Sequence, residues 1–135
     1  MDKGIFRAYD IRGIYPEELD ERSTYVLGRV LASRIFKRGK IIVGHDVRLS
    51  SPALYRAILR GLRSESSGSR IVTAGLVTTP MLWFLVHRLK AAGGAMVTAS
   101  HNPKEYNGLK VVRGDETLVS GREILKELVA GGILK

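Results

Sequence analysis

The sequence predicts a three-layer α/β/α domain built on a mixed, mostly parallel four-stranded sheet. Short, continuously apolar segments at 41–43, 71–74 and 95–98 have the pattern of strands that are buried on both faces. Segments in which apolar residues recur at helical spacing separate them, and such alternation is typical of parallel βαβ units with right-handed crossovers. A fourth strand is expected at 109–112, and an N-terminal strand is expected in addition to these four.

The N-terminal half contains the clearest start and stop signals. Residues 5–12 begin apolar and read as a strand that ends in a turn. Residues 20–37 have helical spacing, and Gly39 is expected to stop that helix. The pairs Ser51-Pro52 and Thr79-Pro80 each combine an N-cap residue with a proline at the first helical position, so each is expected to begin a helix.

The C-terminal half breaks the regular alternation. The stretch from Ser64 to Ser69 is predicted to be a polar turn, and the helix that follows Thr79-Pro80 is expected to continue to about Lys90. The connection between 95–98 and 109–112 has no room for a helix, so these two strands should be antiparallel. Residues 121–130 are predicted to form the last helix.

Composition limits the class of protein. The 135 residues suggest one domain, and 44% hydrophobic residues are sufficient for a packed core. The absence of cysteine excludes disulfides and thiolate metal sites. No apolar run approaches the ~20 residues of a membrane span, and the first residues lack a signal-peptide layout. We therefore expect a cytoplasmic protein with no membrane contact.

The charge is strongly basic. A net charge of +9, from 22 Lys and Arg against 13 Asp and Glu, favours either nucleic acid or a phosphorylated small molecule as partner. The basic residues are scattered over the predicted helix faces and form no run interleaved with aromatic residues, so solvated helix faces explain most of them and nucleic-acid binding is not expected. Acidic parts of a larger protein would be a third explanation for the imbalance.

Three polar clusters follow the ends of predicted strands, where open α/β sheets bind ligands at a topological switch point. The clusters are Asp10 with Arg12, His45 with Asp46 and Arg48, and Ser100 with His101. Each cluster alone also fits an ordinary turn or a solvated surface. Their common placement favours a site.

The segment Thr98-Ala99-Ser100-His101-Asn102-Pro103 is the most informative of the chain. It presents a serine on a tight loop after a strand, as expected for a hydroxyl that carries a group. A hydrolytic triad of Ser100, His101 and Asp46 is disfavoured, because Ser100 and His101 are adjacent and the Gly-x-Ser-x-Gly pattern is missing. The histidines lack zinc-ligand spacing, and no glycine-rich nucleotide loop is present.

Five segments in order resemble the first domain of the α-D-phosphohexomutases, the phosphomannomutase/phosphoglucomutase family. The segments are Phe6 to Gly13 with Tyr-Asp-Ile-Arg-Gly, Gly44 to Ser51 with Gly-x-Asp-x-Arg-x-Ser, Gly75 to Pro80 with Gly-x-x-x-Thr-Pro, the serine segment at 98–103, and Asn107 to Lys110 with Asn-Gly-x-Lys. The resemblance implies that strand 41–44 lies between 70–74 and 95–98, with 109–112 at the edge. This order would place the Asp46 and Ser100 loops side by side.

The resemblance also implies a mechanism. Ser100 would carry a phosphoryl group, pass it to a hexose monophosphate and form a bound 1,6-bisphosphate, with glucose 1,6-bisphosphate as activator. Arg12 and Lys110 would lie near the phosphoryl group, with Lys110 or His101 as acid/base. The remaining expected support comes from side chains that brace the loop or hold substrate. These are Asp10, Asp46, Arg48, Asn102 and Asn107.

The family pattern extends beyond this chain. Magnesium would touch the phosphate on Ser100, but its Asp-x-Asp-x-Asp loop belongs to the second domain of the family, sugar recognition to the third and the distal phosphate site to the fourth. None occurs in these 135 residues. The chain alone is therefore expected to be inactive, whether it is an expressed domain, a truncated gene product or one part of a split protein.

The expected partners of the chain are hexose phosphates and the missing domains. The surface that would contact those domains is also expected to bind a second copy of the chain. A non-catalytic phosphosugar or interaction module and a basic nucleic-acid binder remain the rival classes. The sugar, whether mannose, glucose or glucosamine phosphate, is left open.

Overall fold

The structure is a computed structural model that describes residues 1–65 and 69–135. At the centre, the residues described form a six-stranded mixed sheet. The strands are β1 (Ile11–Ile14), β2 (Lys40–His45), β3 (Arg70–Leu76), β4 (Gly93–Val97), β5 (Tyr106–Arg113) and β6 (Leu118–Val119). The helices are α1 (Glu21–Val30), α2 (Ser51–Glu65), α3 (Thr79–Arg88) and α4 (Gly121–Ala130).

The strand order is β1-β5-β4-β2-β3, with β6 paired to β5. The predicted central position of β2 is confirmed, since β2 pairs in parallel with both β3 and β4. The predicted antiparallel pairing of β4 with β5 is confirmed as well. The expected edge position of β5 is wrong, because β1 pairs antiparallel with its far side. The described residues form six sheet strands rather than four, since the expected N-terminal strand joins the sheet as β1 and the unexpected β6 pairs with β5.

The N-terminal strand begins later than the predicted range of 5–12. Residues Lys3–Ile5 form a 3-10 turn, whose N-cap Asp2 accepts a hydrogen bond from the Gly4 N–H at 2.6 Å. The Arg7 N–H then donates to the Asp10 carbonyl at 2.8 Å, which closes a tight turn ahead of β1. The apolar residues at the start of the chain are therefore buried by a turn against the sheet.

The helices cover both faces of the sheet, which confirms the three-layer α/β/α class. Side chains that alternate along β2, β4 and β5 fall into two cores. One core holds Ile41, Val43 and Ala95 against α1, α2 and α4. The other holds Ile42 and Met96 against α3.

Helix ends differ from the predictions by a few residues. The helix predicted over 20–37 is α-helical to Val30 and ends in a wider π turn, Leu31–Ile35, where the Phe36 N–H donates to the Leu31 carbonyl. The N-cap of α3 is Thr78 rather than Thr79, because the Thr78 hydroxyl accepts from the Met81 N–H.

The α3 helix ends at Arg88 instead of continuing to about Lys90. Of the predicted polar turn at 64–69, Ser64 still belongs to α2, and 66–68 lie outside the described residues. No helix in the described ranges is long and apolar enough to cross a bilayer.

Candidate active site

The carboxyl ends of β2 and β4 bring two polar segments together. His45 and Val97 are the last paired residues of the two strands, and the Asp46 N–H then donates to the Val97 carbonyl at 3.0 Å. The chain leaves β2 toward β3 on one side and returns to β4 on the other, so this is the switch point where open α/β sheets bind ligands. The Asp46 and Ser100 segments are thus neighbours.

The Asp46 carboxylate is fully engaged within the protein. Its Oδ1 accepts from the Arg48 backbone N–H at 3.1 Å and from the Ser51 hydroxyl at 2.5 Å. Its Oδ2 accepts from the Thr98 hydroxyl at 2.7 Å and lies 3.4 Å from the Arg48 Nε. Because a carboxylate only accepts hydrogen bonds, these groups leave it little capacity for a ligand.

Arg48 joins the end of β2 to the segment 98–106, which we call the serine loop. Its side chain is 13% exposed. Its guanidinium donates to backbone carbonyl oxygens at 2.7–3.1 Å, namely those of Ser100, Asn102, Pro103 and Tyr106. The planar fork of donors on one arginine fits such a set of converging carbonyls, which a lysine could not reproduce. One side chain thus holds four carbonyl groups of the loop together.

Ser100 has its backbone fixed on both sides. Its φ of +54° lies in the left-handed region that non-glycine residues rarely adopt. Its N–H donates to the Thr98 hydroxyl at 3.0 Å, and its carbonyl accepts from Arg48. Within the described residues, the Ser100 hydroxyl itself makes no hydrogen bond, and it belongs to a half-buried residue. The neighbouring His101 is exposed.

Asn107 anchors the far end of the serine loop. The residue is 0% exposed, and its Nδ2 donates to the Ser50 hydroxyl at 2.7 Å and to the Ser51 hydroxyl at 3.0 Å. Its Oδ1 accepts from the Gly108 N–H at 2.8 Å. Ser51, which the sequence suggested as a helix cap, is instead the first residue of α2 and bridges Asn107 to Asp46.

Close packing of β1 on β5 places two basic side chains on one face. Arg12 lies opposite Gly108, where a Cβ atom would stand 2.0 Å from the Ile11 carbonyl oxygen. Only glycine permits this approach. Lys110 lies two residues farther along β5, so it is a diagonal neighbour of Arg12 on the same face of the sheet.

Asp10 links these two cations. Its Oδ2 lies 2.8 Å from the Arg12 Nε and 4.0 Å from the Lys110 Nζ, and its side chain is only 6% exposed. The Arg12 and Lys110 side chains are each 27% exposed. Arg12 also donates to the Asn102 side-chain oxygen, which connects the pair to the serine loop.

These side chains open onto a cleft of about 630 Å³, which we call the cationic cleft. Its lining residues are Arg7, Ala8, Tyr9, Asp10, Arg12, Asn102, Tyr106, Lys110 and Leu118. Three of them are basic and one is acidic. The structure therefore unites Asp10, Arg12, Asn102 and Lys110 in one cleft, whereas Ser100 and His101 lie outside its lining.

Sequence reasoning missed several residues of this arrangement. Arg7 and Tyr9 lie just before Asp10 in the sequence, and this proximity could have indicated a common site. The strand predicted at 5–12 argued against it, because neighbouring strand residues point to opposite faces. Thr98 stands two residues before Ser100, a spacing at which a threonine hydroxyl can accept from the later N–H. The spacing alone does not reveal that Asp46 accepts from the same hydroxyl.

Comparisons with known proteins agree on one family. The family model of phosphoglucomutase/phosphomannomutase, alpha/beta/alpha domain I, matches residues 3–130. A protein of Xanthomonas campestris pv. campestris named "Phosphohexose mutases" is 51% identical over 113 residues, which is 84% of this chain and 25% of that protein. A phosphoglucomutase of Neisseria gonorrhoeae is 42% identical over 132 residues, 96% of this chain and 28% of its own length.

Solved structures give the same result. A phosphoglucomutase/phosphomannomutase family protein from Burkholderia thailandensis superposes with a TM-score of 0.79 at 31% identity, over 98% of this chain and 31% of that one. A putative phosphomannomutase from Thermus thermophilus has a TM-score of 0.79 at 34% identity, over 93% of this chain and 29% of its own. The chain thus spans about a quarter of the curated relatives it matches.

Proposed function

The chain belongs to the phosphoglucomutase/phosphomannomutase family as its α/β/α domain I, and on this premise we propose that Ser100 is the phosphate carrier of a hexose-phosphate mutase. The reaction would interconvert hexose 1-phosphate and hexose 6-phosphate through a bound 1,6-bisphosphate. Because the chain spans about a quarter of the length of its relatives, we propose that it supplies the phosphate-carrying part of the active site. By itself it would not turn over a sugar phosphate.

The proposed transfer exchanges one oxygen–phosphorus bond for another. The bond between phosphorus and the Ser100 oxygen breaks while a bond forms from phosphorus to a hydroxyl oxygen of the hexose monophosphate. The proton of that sugar hydroxyl leaves to a base, and the Ser100 oxygen takes up a proton. After the bisphosphate reorients, the reverse transfer returns the other phosphoryl group to Ser100 and releases the isomeric monophosphate.

The observation that carries the proposal is an unbonded serine hydroxyl beside a basic cleft. Arg48 fixes the backbone of the serine loop, while the Ser100 hydroxyl oxygen makes no hydrogen bond within the described residues. Arg12 connects that loop to the cationic cleft through Asn102. Phosphoryl transfer depends on positioning and on neutralising charge, and this arrangement supplies both.

Lys110 is the better placed of the two groups proposed for proton transfer. It lines the cationic cleft on the same face as Arg12, whereas His101 is exposed and is not part of the lining. Arg12, held by Asp10 at 2.8 Å, would meet the phosphoryl oxygens with a fixed guanidinium.

Magnesium does not fit the residues of this chain alone. No group of three or more His, Cys, Asp or Glu that could hold a metal occurs among the described residues. Asp46 is engaged by Thr98, Ser51 and Arg48, and a phosphate on Ser100 would offer the ion oxygens without the carboxylates it also needs. A magnesium ion at Ser100 would therefore need carboxylate ligands from outside the described residues.

Intact mass spectrometry tests the proposal. The chain is measured as purified and after incubation with glucose 1,6-bisphosphate, alone and with the remaining domains of the Xanthomonas relative added. We expect a gain of one phosphoryl group on the wild type and none on Ser100→Ala. Ser50→Ala, the control on a nearby serine, should still gain the phosphoryl group. A wild type that never gains phosphate, or an S100A variant labelled equally, contradicts the role of Ser100. Retained binding of hexose phosphates without phosphorylation would favour a non-catalytic module.

A further inference from the structure

We propose that Thr98 is a positioning residue whose hydroxyl holds the Ser100 backbone in its left-handed conformation, so that the serine oxygen stays unbonded. The inference rests on the proposed function, since the oxygen being positioned is the proposed phosphate carrier. Two distances carry it, the 2.7 Å from Thr98 Oγ1 to Asp46 Oδ2 and the 3.0 Å from Ser100 N to Thr98 Oγ1.

The direction of the Thr98 hydroxyl is fixed by its partners. An ionised carboxylate has no proton to give, so the single proton of Thr98 Oγ1 points to Asp46 Oδ2. A lone pair of the same oxygen then faces the Ser100 N–H. Thr98 is 4% exposed, and its own N–H donates to the Gly108 carbonyl at 3.0 Å, so this acceptor is held in place by the sheet.

The Ser100 conformation requires such support. A φ of +54° is unfavourable for a residue with a Cβ atom, and it persists where neighbouring groups over-determine it. Arg48 holds the Ser100 carbonyl. This contact alone leaves the Ser100 N–H, and with it the peptide plane before Ser100, free to rotate. The Thr98 hydroxyl fixes that second group, and together the two contacts define the peptide planes on both sides of Ser100.

The position of the serine oxygen follows from this backbone. A change of the Ser100 φ angle swings the Cβ–Oγ bond, and misplacement by about 1 Å can reduce a transfer rate on the order of a hundredfold. Valine has the shape of threonine without the hydroxyl, so Thr98→Val removes both hydrogen bonds. Thr98→Ser keeps both, because serine offers the same donor and acceptor.

The experiment compares T98V, T98S and wild type, with Thr24→Val as matched control. Thr24 is 3% exposed, and its hydroxyl donates to the Asp20 carbonyl at 2.8 Å in α1, far along the chain from the serine loop. Amide hydrogen exchange and the HN–Hα coupling of Ser100 are measured by NMR on the chain itself. The same variants are assayed for phosphate gain on Ser100 as above.

We expect the Ser100 amide of T98V to exchange roughly tenfold faster, the change a single hydrogen bond produces, with a coupling shifted away from the left-handed value. Phosphate gain in T98V should fall at least about tenfold. T98S and T24V should match the wild type in each readout.

The proposal is overturned if T98V keeps the wild-type exchange and coupling, or if T98S is as perturbed as T98V. It is overturned without any variant if the wild-type Ser100 amide exchanges as fast as a fully solvated one, which covers the case of T98V failing to fold. A wild type that gains no phosphate contradicts the proposed function, while the NMR readouts still decide the role of Thr98.

Discussion

The serine loop and the cationic cleft adjoin each other but are stabilised in different ways. In the loop, Arg48 and Thr98 bond the backbone on both sides of Ser100. In the cleft, Arg12 and Lys110 are each 27% exposed and share the single carboxylate of Asp10. The polar groups of the loop therefore determine its shape, while the cations of the cleft remain partly exposed to solvent. Substitutions should therefore separate the two regions, with loop changes lowering stability and cleft changes lowering phosphate gain at little cost in stability.

The largest expected effect is that of Arg48→Met. The substitution keeps an apolar stem but removes the donors to four loop carbonyls and the contact with Asp46 at 3.4 Å. Losing these partners in a half-buried setting should lower the free energy of unfolding by about 2–4 kcal/mol. Urea denaturation followed by circular dichroism measures the change.

Arg29→Met is the matched control for this variant. Arg29 is 49% exposed and pairs with Glu65 at 2.6 Å on the surface. Solvent screens an exposed pair of this kind, so its loss should change the free energy of unfolding far less than the loss of Arg48. Equal losses in the two variants would show that Arg48 is an ordinary surface arginine and would remove the distinction between loop and cleft.

Local sequence patterns predicted the parts of this molecule that depend on local chemistry. Continuous apolar runs placed β2 and β4, and the last helix was predicted at 121–130, where α4 lies at Gly121–Ala130. The serine on a tight loop after β4 could be read from the segment itself. The central position of β2 came from the family resemblance, since strand order depends on contacts between distant residues.

Long-range pairing explains what the sequence did not reveal. β1 lies beside β5 because Gly108 lets the Ile11 backbone approach, and neither residue signals the other in the sequence. The bond from Thr98 to Asp46 joins residues 52 positions apart. The Ser51-Pro52 pair predicts a helix N-cap from local sequence. In the fold the Ser51 hydroxyl instead donates to the Asp46 carboxylate.

After Arg48→Met, the next largest effect on stability is expected at Ser100, because of its backbone conformation. Glycine adopts a φ of +54° freely, whereas alanine meets the same steric conflict as serine. Ser100→Gly should therefore be more stable than Ser100→Ala by about 1 kcal/mol, although both lack the hydroxyl. Thermal unfolding of the two variants measures the difference.

A second pair of variants checks that this difference comes from the backbone. At Ser33, in the π turn after α1, no positive φ occurs, so glycine should there be less stable than alanine by about 0.5–1 kcal/mol. The same order of stability at both positions would contradict a left-handed Ser100 and with it the constrained loop.

The smallest effect on stability should come from Lys110→Met, in the cleft. The Lys110 Nζ is 4.0 Å from the Asp10 Oδ2, and the side chain is partly exposed, so solvent screens much of this attraction. Asp10 keeps its closer contact with Arg12 at 2.8 Å, so its buried carboxylate still has a charged partner. We expect a change of at most about 0.5 kcal/mol in the free energy of unfolding, together with a clear loss of phosphate gain on Ser100. Denaturation and intact mass spectrometry on the same preparation measure both quantities. If K110M instead destabilises the chain as much as R48M does while phosphate gain is retained, the cleft is a structural element like the loop, and Lys110 takes no part in the transfer.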